Sequence, residues 1–176
     1  MLMSNQRLAT ILAHLTLLGV IILPVFAAIV WLFWDFTAPL ASGNLQYMFD
    51  LTSLGVGARF AGFGLSLFGA LIQAYGLLGL RQTFLEAAQG DPFSTKSVYG
   101  FRRFAWTSLI LVFFNILQRT GLIMIFSVSD PAHQGTLSIQ LGSPELQALF
   151  MAVLLVFVSH VFATGKIAKD ENDAFL

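Results

Sequence analysis

The sequence predicts an all-α integral membrane protein: a four-helix bundle, N-in and C-in, built as one membrane domain over residues 1–176. Three observations carry this. First, 57% of the 176 residues are apolar and 10% are charged, with a mean hydropathy of +0.80, whereas a soluble domain needs about a quarter of its residues charged to cover its surface. Second, four apolar runs stand out, about 8–34, 60–80, 104–126 and 146–163, each near or above the roughly 20 residues that cross about 30 Å of hydrocarbon as a helix. Third, Arg7, then Arg81, Lys96, Arg102 and Arg103, then Lys166 and Lys169 alternate with connections that hold only Arg59 at a helix edge. Basic residues stay cytoplasmic, so both termini and the connection between spans two and three face inward.

The elements follow in chain order. The first span, from Leu8 to Trp34, is far longer than the ~7–15 residue core of a secretory signal and reads as a retained anchor. In the outer loop behind it, Asn44, Leu45, Met48 and Phe49 predict a short helix lying on the membrane surface. The second span continues past the hydrocarbon through Arg81 and Glu86 until Gly90 and Asp91-Pro92 end it. Ser94 then caps a new helix, with Phe93 dipping into the interface and Lys96, Arg102 and Arg103 beside anionic lipid. Beyond the third span, Thr136 to Leu141 alternates polar and apolar residues and reads as a stub of strand. In Gly142-Ser143-Pro144-Glu145 the serine is the expected cap, proline the first helical residue and glutamate the dipole partner, starting the fourth helix at about Pro144.

Polar and small residues inside the spans mark the candidate sites. Ala58, Gly62, Ser66, Gly69, Gln73 and Gly76 recur at three and four residues on the second span, a stripe that lets a neighbouring backbone approach. It can be a seam within the bundle, a seam between two copies, or a ligand cleft; Gln73 is expected to hydrogen-bond across helices. On the third span Asn115, Gln118 and Arg119 cluster. Position 119 lies about 24 Å from Arg103 along the helix, where its guanidinium can snorkel outward or pair with Asp35, Asp50, Asp130 or Glu145. His14 and His160 stand at matching depth, roughly 9–10 Å above the inner surface, the disposition that haem b or a metal ion would require, with Thr10 and Thr164 a turn away as supporting groups. Two independently hydrogen-bonded histidines are the alternative.

Several functions find no support in the residues. The charge sums to zero and cysteine is absent, which argues against nucleic acid and removes thiolate chemistry. No carboxylate sits mid-span to couple proton movement, and no catalytic spacing is present: Ser159 and His160 are adjacent on a helix and point about 100° apart.

The stretch Gly90 to Arg103 resembles the G-x-P-F-x-x-x-N-V-x-R-L-R pattern of the bacterial membrane family known as domain of unknown function 2975. Gly90, Pro92, Phe93, Val98, Arg102 and Arg103 match it, while Ser97 replaces asparagine and Phe101 replaces leucine. The ending is similar too: Val161 to Lys166 is an apolar helix that runs into the charged tail Asp170 to Asp173. The resemblance implies a four-helix protein of the bacterial inner membrane and no particular activity. Its members often occur beside small helix-turn-helix regulators, which implies a regulatory association. The leading expectation is therefore a non-enzymatic interaction protein that meets a cytoplasmic regulatory partner through Phe93, Lys96, Tyr99, Arg102 and Arg103. A small-solute or lipid transporter using Gln73, Asn115, Gln118 and Arg119, and a haem or metal protein using His14 and His160, are the rivals. A bundle this small also admits homo-oligomers.

Overall fold

The computed structural model describes residues 2–41, 54–129 and 142–174. Among the described residues five helices form: α1 (Leu2–Leu32), α2 (Trp34–Ala41), α3 (Val56–Ala88), α4 (Thr95–Ser129) and α5 (Ser143–Asp173). Four of them, all but α2, are long and apolar enough to cross a membrane, and the chain is a multi-pass membrane protein. The expected surface helix at Asn44 to Phe49, the strand at Thr136 to Leu141, and Asp50 and Asp130 lie outside the described residues.

The first span is not continuous to Trp34. The helix closes at Leu32, and the chain restarts as α2 after a one-residue turn at Phe33. The Thr37 hydroxyl donates to the Val30 and Phe33 carbonyls at 2.6 and 3.0 Å, which supplies part of what the helix end leaves open. Pro24 stays inside α1, a position that long membrane helices tolerate although it removes one backbone donor.

The turn between α3 and α4 is built as its residues predict. Gly90 has φ +91°, in the left-handed region that favours glycine. Its amide reaches the Ala87 carbonyl, and the Asp91 amide reaches that of Glu86, both at 3.1 Å, so the helix end is a Schellman closure. Ser94 then accepts the Ser97 amide at 3.0 Å as the cap of α4. At α5 the outcome differs by one residue. The cap is Gly142 and the helix already includes Ser143, because the Glu145 carboxylate folds back to accept the Gly142 amide at 2.9 Å. Glycine has no side chain to return a bond, so only this half of a capping box exists.

Helix α3 packs against α1 on one flank and α4 on the other, and α5 packs on α4. Among the described residues α1 and α5 form no comparable interface, which leaves that side of the bundle without helix-to-helix closure. At the α2 end, Trp31 and Trp34 stack with centroids 4.5 Å apart, Phe126 lies 5.9 Å from Trp34, and Val30, Leu54 and Ile123 complete the core. At the other end, which carries the α3–α4 turn, a Cβ placed on either Gly79 or Gly100 would lie 2.5 Å from the other's carbonyl oxygen. The two backbones cross there, and the buried Thr83 hydroxyl bridges to the Ser97 carbonyl at 3.0 Å.

Among the described residues, two ion pairs sit at the α2 end: Arg59 holds Asp35 at 2.6 Å, and Arg119 reaches Glu145, one of the four acids expected for it, at 3.3 Å. Glu145 therefore serves both the α5 cap and the α4 contact. Replacing it by alanine is expected to raise amide exchange in the first turn of α5 severalfold, while Arg119→Leu, which spares the Gly142 bond, should raise it less. Hydrogen-exchange mass spectrometry on the two variants checks the order.

Candidate functional site

The small residues of α3 face inward. A Cβ on Gly62 would overlap the Trp31 ring, one on Gly69 would meet Phe114 and Gln118 at 2.8 and 2.9 Å, and one on Gly76 would meet Thr107 at 3.0 Å. The Ser66 hydroxyl accepts the Trp31 indole N–H at 3.0 Å. The stripe is thus a seam within one chain, with α1 on it at Gly62 and Ser66 and α4 at Gly69 and Gly76.

Where that seam opens between α1, α3 and α4 there is a hollow of about 400 Å³. Leu23, Ala27, Trp31 and Phe126 wall it, and Ser66, Gln73, Asn115 and Gln118 provide its polar atoms. A second hollow of about 270 Å³, between α3, α4 and α5, shares Gln73, Leu111 and Asn115 with the first. The predicted intramembrane cluster therefore divides. Asn115 and Gln118 join Gln73 around the hollow, while Arg119 is engaged with Glu145 and is not part of the wall. By residue count Gln73 lies ~10 Å from Leu80 and Asn115 ~17 Å from Phe104, so both are well inside the spans. The carboxamides of Gln73, Asn115 and Gln118 make no side-chain hydrogen bond among the described residues. Among the described residues no titratable side chain lines either hollow, so the arrangement can donate and accept hydrogen bonds to a neutral group.

At the turn end the expected contact residues separate into two kinds. Phe93 is half-buried, its ring 5.1 Å from Phe162 and against Gly165, so it pins the turn to α5 where an interfacial position was expected. Arg103 folds back with its guanidinium 4.8 Å over the Tyr75 ring, a cation–π contact that holds α4 to α3; its Nε is buried without a partner. Lys96, Tyr99 and Arg102 are exposed and, three residues apart, form a ridge along the first turns of α4. Beside them, Lys169 pairs with Asp91 at 2.7 Å, and Lys166 pairs with Asp170. Together with Lys96 these groups line a polar recess of about 330 Å³.

The histidines stand on α1 and α5, which share no sizeable interface among the described residues. His14 Nδ1 lies 2.8 Å from the Thr10 carbonyl and His160 Nδ1 2.9 Å from the Val156 carbonyl. A carbonyl only accepts, so each ring carries a proton on Nδ1. Both are exposed, on helices that do not pack against each other. The threonines expected to support them bond backbone instead: Thr10 to the Gln6 carbonyl and Thr164 to the His160 carbonyl. Among the described residues, no three or more His, Asp or Glu side chains are grouped for a metal ion.

Sequence reasoning missed the Gly79 and Gly100 crossing, although Gly79 and Thr83 continue the three-and-four spacing of the stripe past Gly76. It also missed Trp31, for which no spacing signal exists. No family model, curated protein or solved structure matches this chain.

Proposed function

We propose that this chain is a non-enzymatic regulatory protein of the bacterial inner membrane, of the family that Gly90 to Arg103 resembles, and that it engages a soluble cytoplasmic protein through the start of α4. One observation carries the reading. Lys96, Tyr99 and Arg102 form an exposed ridge whose side chains make no hydrogen bond or ion pair among the described residues. Two cations flanking a tyrosine suit an acidic partner surface, since tyrosine and arginine supply most of the energy at such contacts and opposite charge sets the approach. Phe93 and Arg103 then shape the surface and do not touch the partner. The clustering of Arg7, Arg81, Lys96, Arg102, Lys166 and Lys169 at one end supports its cytoplasmic orientation.

The test is purification of the tagged protein from native membranes in mild detergent, with companions identified by mass spectrometry. A stoichiometric soluble protein is expected, and the triple variant Lys96→Ala, Tyr99→Ala, Arg102→Ala should lower its recovery about tenfold or more while the bundle stays helical. Reproducible recovery of the chain alone, or a companion insensitive to the variant, would overturn the reading. Reporter fusions at the C-terminus check the orientation separately.

A further inference from the structure

We propose that the hollow bounded by Gln73, Asn115 and Gln118 is a binding site for a neutral lipophile with a hydrogen-bonding head, a long-chain alcohol or a quinone-like carbonyl compound, entering from the hydrocarbon phase.

The argument begins with unmet hydrogen bonds. Each carboxamide offers two donors and an acceptor oxygen with two lone pairs, and in hydrocarbon there is no bulk water to engage them. Three such groups converge within the spanning parts of α3 and α4 and find no partner in the protein among the described residues. Their side chains are too short to reach the nearer span end, which by residue count lies roughly 10–17 Å away, so snorkelling is closed to them.

Shape and charge narrow the occupant. The hollow of about 400 Å³ adjoins one of about 270 Å³, within the range of small-molecule sites, and it pairs apolar and aromatic walls with a few convergent polar atoms. Among the described residues no charged side chain lines either hollow, so an ionic head would be left uncompensated there and a neutral one would not. Acyl chains alone cannot satisfy the carboxamides. Nor can the large apolar side chains that α1 and α5 expose, Leu, Ile, Val, Phe and Met, which carry no strong hydrogen-bonding atom. Access comes from the side that α1 and α5 leave unclosed.

The experiment uses the full chain in lipid nanodiscs and a diazirine-bearing hexadecanol as probe, with adducts mapped by mass spectrometry. Saturable labelling between Leu23 and Trp34 and between Leu111 and Leu122 is expected, competed by hexadecanol and not by hexadecane or hexadecylammonium. Two variants remove it by different routes. Gln73→Leu with Asn115→Leu deletes the polar partners and should weaken competition about tenfold or more, whereas Ala70→Phe fills the space and keeps them. Circular dichroism confirms that both remain helical. Labelling spread along the lipid-facing helices and unchanged in both variants would overturn the proposal. So would alkylation of an Asn115→Cys variant by a membrane-impermeant maleimide, which would reveal a water-filled hollow. A disulfide formed between copies from that cysteine would assign the space to a second chain and would equally overturn it; the parent sequence has no other cysteine to confuse the result.

Discussion

Trp31→Ala is expected to lower the stability of the bundle by about 3–5 kcal/mol, the cost typical of truncating a buried tryptophan. The indole is 8% exposed, stacks on Trp34 at 4.5 Å, donates to Ser66 at 3.0 Å and fills the space over Gly62. Removing it breaks the aromatic pair, orphans a partly buried hydroxyl and enlarges a hollow that already exists beside it. Within a bilayer the loss is of packing and hydrogen bonding rather than of water exclusion, since lipid tails are as apolar as the ring's surroundings. Sodium dodecyl sulfate titration in mixed micelles, followed by far-ultraviolet circular dichroism, measures it. Gly62→Ala forces a methyl group into the same ring and should also destabilise. Because one space is involved, Gly62→Ala combined with Trp31→Leu should cost less than the sum of the single changes, with a coupling of about 0.5–3 kcal/mol. Strict additivity would show that the two residues do not share that contact.

Gly79→Ala and Gly100→Ala are expected to cost about 1–3 kcal/mol each. Each new methyl would lie 2.5 Å from a backbone carbonyl of the opposite helix. A backbone atom cannot rotate away as a side-chain tip can, so α3 and α4 must separate, and the Thr83 to Ser97 bond at 3.0 Å lengthens with them. Gly64 is the internal control: a Cβ there meets nothing within 4 Å, so Gly64→Ala should be neutral or stabilise through helix propensity. The same titration separates these outcomes. Equal effects at positions 64 and 79 would show that propensity, and not the crossing, governs both.

The spans and their ends were legible because composition and capping are local. Gly90, Ser94 and the run through Glu86 act on their own neighbours, and the structure places the turn where those residues put it. The break at Phe33 was not legible, since it depends on the Thr37 hydroxyl returning to Val30 inside an unbroken apolar run. Lateral register was harder still. That Gly62, Ser66, Gly69 and Gly76 share a face follows from their spacing; that the face meets Trp31 and Phe114 depends on how far each helix slides past its neighbour. Arg103 and Arg119 show the same limit. Spacing offers Glu145 to Arg119 as one of four acids and places Arg103 beside anionic lipid; that Glu145 reaches the one and the Tyr75 ring underlies the other depends on residues of other helices. Gln73, Asn115 and Gln118 were each visible as polar residues in apolar runs, and only the packing of α3 on α4 brings them to one hollow.

The order in which the helices pack has a consequence for biosynthesis. Each long helix leans on the one that precedes it in the chain: α3 on α1, α4 on α3, α5 on α4. Such a molecule has low contact order for its size, and low contact order favours rapid assembly without long loop closures. As the chain leaves the ribosome, every newly inserted helix finds its partner already in the bilayer. The pair of α1 and α3 can form first, α4 then joins it through the closure at Gly90 and the crossing of Gly79 and Gly100, and α5 docks last.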